Sequence, residues 1–376
     1  MNLASKSKTI NRLWPLGLSS LIIAGLAVLI FSIIQRPSDK ERSPARIRAA
    51  KYGFEYSDQR LSLTDALKRV DFKASNSNVL NFGFDKRPVW IHFTVENRQN
   101  YSNTIYLEID FPPLDDVEFY LVQNQHEVAK LISGDTISID SRPFIGRNHI
   151  FPFRVTQNTT NDSFIDIYLR VESTSALTIT PAFFTESQLN SQLNLENLIF
   201  GIFYGMILIM IVYTLGQYFV LHDRILIIYS AYIAAVGCFL IVYNGHSFLY
   251  LYPNWPKLNN LLNPLSLSLS ILLSLLFSNE YLDLKTTQPS WNKLHLGLAS
   301  IATGSVLATF FIATRPISIF LNIYLVITLI FILIVTIRGI FLKNLMAWFY
   351  FFSFSGFLMS GGLLVWNNLG FLEDAV

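Results

Sequence analysis

The chain has 376 residues, of which 52% are hydrophobic and only 14% are charged, and its mean hydropathy is +0.40. This composition excludes a disordered chain and argues against a purely water-soluble one, since soluble domains carry about 25% charged residues. A single cysteine excludes a disulfide framework and a cysteine zinc site, and a net charge of +2 does not indicate a nucleic-acid binder.

The charged residues are divided unevenly along the chain. Only twelve Asp, Glu, Lys and Arg residues lie in residues 197–376, whereas 42 lie in residues 1–196. A polar first half followed by an apolar second half predicts a water-exposed domain joined to a membrane domain. The expected parts are an N-terminal anchor or signal segment (1–37), a linker (38–50), an exported folded domain (51–190) and a polytopic helical domain (191–376).

The first apolar segment spans residues 13–35 and follows Lys6, Lys8 and Arg12. About 20 apolar residues cross a bilayer as a helix, and basic residues keep their side in the cytoplasm, so residues 38–196 are expected outside. The segment is long for a signal peptide and lacks a small-residue cleavage pattern, which favours an uncleaved anchor but leaves cleavage open. In either case the following domain is exported.

Short runs with two-residue alternation fill the exported region. Residues 165–171 alternate between apolar and polar side chains, which predicts a strand with one buried and one wet face. Such runs recur about every 10–14 residues with Pro, Gly and Asn between them, a pattern typical of an antiparallel β-sandwich. One helical piece is expected at residues 61–67, with Ser62 or Thr64 as its N-cap.

Uncharged stretches of about 20 residues follow one another through the second half. We predict six helices there, at residues 197–219, 226–247, 260–281, 294–314, 317–337 and 345–366. Lys and Arg residues in the loops predicted to face the cytoplasm outnumber those outside by five to two, which supports the orientation given by the N-terminal segment. The C-terminus is then expected outside, before a seventh helix or any output module.

Small residues in the predicted helices indicate close packing. Gly201 and Gly205 form a GxxxG pair, which lets two helices approach closely. Ser270, Ser274 and Ser278 repeat at every fourth residue and are expected to face other helices. No charged residue lies deep in a predicted span, which argues against a proton-coupled transporter.

The order of these sequence runs resembles that of one bacterial receptor family. In the exported part the matching runs are residues 89–97 (VWIHFTVEN), 113–120 (PLDDVEFY) and 147–153 (RNHIFPF). In the membrane part they are residues 201–205 (GIFYG) and 221–224 (LHDR). The chain resembles the seven-transmembrane receptors with diverse intracellular signalling modules, and its exported part resembles their type 2 extracellular domain.

This resemblance implies a periplasmic, jelly-roll-like sensor domain that binds a carbohydrate or similar small ligand. It also implies a helical bundle in the bacterial inner membrane that signals to a cytoplasmic module or partner protein. Cyclase and kinase residues are not visible, so we expect no enzyme activity, no catalytic residue, no cofactor and no metal site, and a homodimer stays open. A second hypothesis is a transport or envelope-assembly scaffold; an enzyme of envelope sugars is disfavoured because no acid–base pair is visible.

Five exported residues are candidates for ligand binding. Trp90 and His92 share one face of a predicted strand, where an aromatic ring can stack on a sugar and an imidazole can hydrogen-bond to it. Arg142, Arg147 and His149 lie in a connection that carries Pro and Gly, where two guanidinium groups can clamp a carboxylate or phosphate. The alternatives are a tryptophan and a histidine packed in the core, and a solvated charged loop.

Three acidic residues, Asp110, Asp115 and Asp116, lie close together in the exported part and raise the question of a cation site. Their spacing differs from that of an EF-hand loop, in which oxygen ligands recur at fixed positions over twelve residues. We therefore expect these carboxylates to be turn residues.

Overall fold

The computed structural model describes residues 43–56, 60–75, 80–97, 104–123, 126–154 and 164–353. The chain divides into two compact units. Of the described residues, those between 43 and 195 and those from 241 to 260 form the β unit, and those from 196 to 240 and from 261 to 353 form the helical unit. The β unit is thus discontinuous in the chain, a division that hydropathy and charge did not indicate. The predicted anchor helix lies outside the described residues.

Antiparallel strands build the β unit. In the described residues they are β1 (Ala45–Phe54), β2 (Lys73–Ser75), β3 (Leu80–Asn81), β4 (Val89–Asn97), β5 (Thr104–Ile109), β6 (Asp116–Gln123), β7 (His126–Ser133), β8 (His149–Arg154), β9 (Phe164–Glu172), β10 (Thr178–Ile179) and β11 (Pro181–Phe184). One sheet has the order β2-β1-β4-β9-β6-β7, a second has the order β11-β5-β8, and β10 pairs with β3. The predicted sandwich is confirmed, whereas the jelly-roll description stays an expectation.

An apolar core fills the space between the two larger sheets. Val89, Ile91 and Phe93 point into it from alternate positions of β4, and all three are fully buried. The rings of Phe119 on β6 and Phe151 on β8 stack with centroids 5.2 Å apart and so join the two sheets. Each such side chain contributes about 1.5–3 kcal/mol by burial, which explains why the alternation was visible in the sequence.

Helix α1 (Leu63–Arg69) covers part of the opposite, outer face of the six-stranded sheet. Ser62 caps it, because its hydroxyl accepts a hydrogen bond from the Asp65 amide at 3.2 Å. This cap satisfies one of the amides that a helix N-terminus leaves without a partner. Leu63 and Ala66 are buried against the sheet, so α1 shields this face from solvent.

Long helices follow the sandwich. In the described residues the chain forms α2 (Glu186–Leu221), α3 (Arg224–Tyr243), α4 (His246–Tyr250), α5 (Pro256–Leu282), α6 (Leu284–Thr287), α7 (Pro289–Ala308) and α8 (Thr314–Phe341). Another helix begins at residue 345 and continues to the last described residue, 353.

Four of the described helices, α2, α3, α5 and α8, are long and apolar enough to cross a membrane. The span predicted at 294–314 is a helix that begins and ends earlier and is not among these four, because polar residues such as Asn292 and Lys293 occupy its first turns. The span predicted at 345–366 extends beyond the described residues. Helix α2 begins eleven residues before its predicted start, so its first part is polar.

Candidate functional site

Trp90 lies on the outer face of the six-stranded sheet and is fully buried among the residues of α1. Its ring stacks on Tyr120 with centroids 5.7 Å apart, and its Nε1–H donates to Glu55 Oε2 at 2.8 Å. Arg170 donates from Nε to the same oxygen at 2.9 Å, so Trp90 covers a buried ion pair. A ligand reaches this ring only if α1 moves, and the binding role of Trp90 stays a prediction.

His92 shares that face and lies nearer the surface. Its ring stacks on Tyr168 with centroids 4.3 Å apart, and its Nε2 lies 2.7 Å from Asp166 Oδ1. Thr94 donates to the same carboxylate oxygen at 3.2 Å. The hydrogen bond from His92 holds the pKa of Asp166 below its usual range. The Asp166 side chain is 46% exposed and that of His92 is 14% exposed, so this pair lies at the surface end of the face.

Arg142 and Arg147 of the β7–β8 connection and His149, the first residue of β8, lie inside the β unit, with relative exposures of 6%, 7% and 0%. Arg142 donates to the carbonyl oxygens of Gly134 at 2.6 Å and Gly146 at 3.3 Å. The Arg147 guanidinium pairs with the Asp110 carboxylate at 3.2 Å. Both arginines are therefore buried and bonded within the β unit, unlike the solvated loop that was the alternative in the sequence analysis. An anion clamp formed by Arg142 and Arg147 would also require the connection to open, and it stays a prediction.

Residues 241–260, here named the inter-helix segment because they join α3 to α5, belong to the β unit. The Ile139 amide donates to the Pro253 carbonyl at 3.1 Å. Ser138 Oγ lies 2.5 Å from its acceptor, Asn254 Oδ1. The segment is therefore hydrogen-bonded to the same connection that carries two of the predicted binding residues.

Side chains reinforce this attachment. The Arg142 guanidinium lies over the Phe248 ring, 5.3 Å from its centroid, which is cation–π geometry. Gly245 is the N-cap of α4 and has φ +76°, and a Cβ built on it would lie 2.9 Å from Pro112 Cβ and 3.3 Å from the Arg147 carbonyl oxygen. Only glycine fits this left-handed and crowded position without strain.

Two carboxyl groups lie at the centre of this contact. The Asp135 side chain accepts from Asn259 Nδ2 at 3.2 Å, and Asp115 Oδ2 accepts from the Thr174 amide at 2.9 Å. The carboxyl groups of Asp115 and Asp135 also lie within hydrogen-bonding range of one another. Gly134 permits this approach, since a Cβ there would lie 2.1 Å from the Asp115 carbonyl oxygen.

Burial sets the charges around these carboxyl groups. It raises the pKa of Asp115, and burial together with the neighbouring Asp115 raises the pKa of Asp135 well above its usual range. Burial lowers the pKa of Arg142 to about 10, which leaves it protonated at neutral pH. Burial and the nearby Arg142 charge lower the pKa of His149 well below its usual range, so His149 is neutral.

Asp115 was expected to be a turn residue, but its buried carboxyl group also interacts with that of Asp135. Asp135 was not among the candidate residues, and its partner Asn259, 124 positions away, was not predicted either. Across the described ranges, no group of three or more His, Cys, Asp or Glu side chains is placed to hold a metal ion.

Gly201 and Gly205 lie in α2, where a Cβ built on either glycine meets no atom within 4 Å in the described part of the chain. The close helix packing expected at this pair stays a prediction. The serine repeat lies in α5, and its hydroxyl groups donate to carbonyl oxygens of their own helix, as for Ser270 to Ser266 at 2.7 Å and Ser274 to Ile271 at 2.8 Å.

Comparison with known proteins gives two family matches. Residues 51–185 match the family described as 7TMR-DISM extracellular 2, which covers most of the β unit. Residues 196–375 match the family described as 7TM diverse intracellular signalling, a range that begins within α2 and includes the helices that follow it. The two matches are consecutive and together cover most of the chain. No curated protein matches the chain.

Proposed function

This chain belongs to the 7TMR-DISM family of membrane receptors, and we propose that its β unit binds a small ligand and relays the signal through the helices to a cytoplasmic module or partner protein. We place the β unit in the periplasm and the helices in the bacterial inner membrane. The relay itself involves no chemical step, so we propose that the chain is not an enzyme.

The inter-helix segment is the observation that carries this proposal. Helix α3 ends within the β unit, and α5 begins within it, so both helices are covalently continuous with the segment that bonds to the β7–β8 connection. Any rearrangement of that connection must move residues at the ends of two candidate spans. A ligand that binds one arrangement of the connection more tightly than another would therefore shift the helices. The coupling free energy between two such sites is typically about 1–3 kcal/mol.

The ligand class follows from the resemblance and from the surface around His92. A carbohydrate-like ligand presents hydroxyl groups, which bond well to a carboxylate and an imidazole. Asp166 and His92 offer these two groups side by side, next to the Tyr168 ring. We propose that the first contact with ligand occurs here and that Trp90 becomes accessible only if α1 is displaced.

The test uses the full chain in lipid nanodiscs. Sugars, amino acids and organic acids are screened by thermal shift, and hydrogen exchange is then compared with and without each ligand that binds. A relay predicts that the ligand changes amide protection in β4 and β9 and also in the inter-helix segment. Ligand-induced protection confined to the sandwich would remove the relay and favour a docking or scaffold role.

Variants test the ligand contact and the relay separately. His92→Ala is expected to weaken binding at least tenfold, whereas Asp140→Asn, an exposed position in the β7–β8 connection, should leave binding unchanged. Ser138→Ala is expected to keep ligand affinity and to reduce the response of the inter-helix segment, because it loses the hydrogen bond to Asn254. Unchanged affinity in His92→Ala would show that the ligand binds elsewhere.

A further inference from the structure

We propose that Asp115 and Asp135 together form a proton-binding site, and that the bound proton holds the inter-helix segment against the sandwich. The β unit would then respond to the acidity of its surroundings as well as to a ligand. The link to signalling rests on the proposed receptor function, whereas the proton site and its effect on this contact do not.

The four carboxyl oxygen atoms of Asp115 and Asp135 differ in their hydrogen-bond partners. The Oδ2 atoms of Asp115 and Asp135 accept from the Thr174 amide and from Asn259, respectively. Within the described residues, the Oδ1 atoms of both side chains are buried and have no hydrogen-bond donor. Two carboxylates cannot hydrogen-bond to one another unless one of them carries a proton, because ionised carboxylates only accept. A shared proton supplies the missing donor.

The charges around the two carboxyl groups also favour a bound proton. Both carboxyl groups are more than nine-tenths buried, and charges at such depth must be paired or neutralised. Among the described residues, the Arg142 guanidinium is the cation that faces Asp135. Two carboxylates and one guanidinium leave one negative charge in excess, and a single proton makes the buried group neutral. A metal ion would instead have to bind beside the charge of Arg142.

The other titratable groups around the pair are few. Glu172 faces Asp115 and adds negative charge, while Tyr252 of the inter-helix segment faces Asp135. His149 and His246 lie close to Arg142 and Arg147, respectively, and those charges together with burial keep both imidazoles neutral in the folded state. Their protonation at acidic pH would oppose the effect of the carboxyl pair.

The sign of the effect follows from the direction of the pKa changes. The pKa of both carboxyl groups is raised in the folded state, so the stabilisation is complete below their unfolded pKa and is lost as the pH rises through the folded pKa. Loss of the proton leaves two buried carboxylates facing each other. The contact through Asn259 then opens, which releases the start of α5 from the β unit.

The experiment measures this contact directly in the full chain in nanodiscs. The Ile139 amide, which donates to Pro253, reports the contact by hydrogen exchange between pH 5 and pH 9, after correction for the intrinsic exchange rate. In the wild type we expect protection to fall with rising pH, by up to about tenfold per pH unit, the limit for one linked proton. In D135N, whose amide supplies the donor permanently, protection should change less across the same range.

Because both histidines are present in the two proteins, their contributions cancel in the difference between wild type and D135N. D115N is the second variant and should behave in the same way. Asp140→Asn, in the same connection but exposed, is the matched control and should keep the wild-type pH dependence. Identical pH profiles in wild type and in the folded variant of the pair would overturn the proposal.

One measurement needs no variant. The infrared spectrum of the wild type at neutral pH should contain the band of a protonated carboxylic acid, and its absence overturns the proposal even if both variants fail to fold. If no ligand is found but the pH dependence is observed, the receptor proposal fails and the proton site stands. If a ligand response is found without the pH dependence, the proton site fails and the receptor proposal stands.

Discussion

Two buried polar networks in the β unit connect different parts of the chain. One lies on the outer face of the six-stranded sheet, where Glu55, Trp90 and Arg170 bond to one another beneath α1. The other joins the β7–β8 connection to the inter-helix segment, through Asp135 and Asn259. The first network links residues of the sandwich alone. The second includes Asn259 of α5, a helix long and apolar enough to cross a membrane, so it is continuous with a candidate span whereas the first is not.

The largest effect is expected from breaking the first network. Arg170→Met leaves the Glu55 carboxylate buried with the Trp90 and Leu61 N–H groups as its donors among the described residues. Loss of one partner of a buried ion pair costs about 3–5 kcal/mol. Because β9 is central in its sheet, hydrogen exchange should show lower protection throughout the sandwich.

Arg48→Met is the matched control, because its partner Glu96 lies at the surface and an exposed pair contributes about 0–1 kcal/mol. Glu55→Gln in the Arg170→Met background should recover part of the loss by removing the stranded charge. A loss confined to the inter-helix segment would contradict the division between the two networks.

A smaller and more local effect is expected from the second network. Gly245→Ala places a Cβ at a left-handed position, at a cost of about 1–2 kcal/mol, and against Pro112, whose side chain must shift. Hydrogen exchange should become faster at the Ile139 amide and in residues 241–260, while the core strands keep their protection.

Gly201→Ala provides the control for this change. That glycine is in a helix, and a Cβ built on it meets no atom of the described residues within 4 Å, so alanine should be neutral or slightly stabilising there. If Gly245→Ala reduced the protection of β4 as much as that of the inter-helix segment, the contact would be part of the sandwich core rather than a separable attachment.

These networks also show which features a sequence can predict. Alternation placed Trp90 and His92 on one face of a strand, because a period of two is a local property of the backbone. The covering helix α1 and the partner Glu55, 35 positions from Trp90, depend on folding and were not predicted. The length of the apolar segments predicted the helices α2, α3, α5 and α8. It could not show that α3 and α5 extend into the β unit.

The β7–β8 connection shows most clearly what could not be predicted from the sequence. Arg142 and Arg147 resembled an anion clamp in the sequence, because a charged loop with Pro and Gly is usually at the surface. Their burial depends on Phe248 and on other residues of the inter-helix segment, which are about 100 positions away and lie between two predicted spans. Only the tertiary contact shows that these guanidinium groups face the interior.

The smallest effect is expected at the surface end of the outer face, and it depends on pH. Because the pKa of Asp166 is lowered in the folded state, its pairing with His92 stabilises above the usual aspartate pKa and is lost as the pH falls through the folded value. Asp166→Asn should cost about 0.2–1 kcal/mol at neutral pH, the range of partly exposed pairs. The cost, measured from hydrogen exchange of β4 in the full chain, should shrink towards zero below pH 4, while Asp140→Asn stays neutral throughout. A cost that grows as the pH falls below 4 would mean that the Asp166 carboxylate is strained rather than stabilised by His92, and the outer face would then resemble the carboxyl pair of the inter-helix contact.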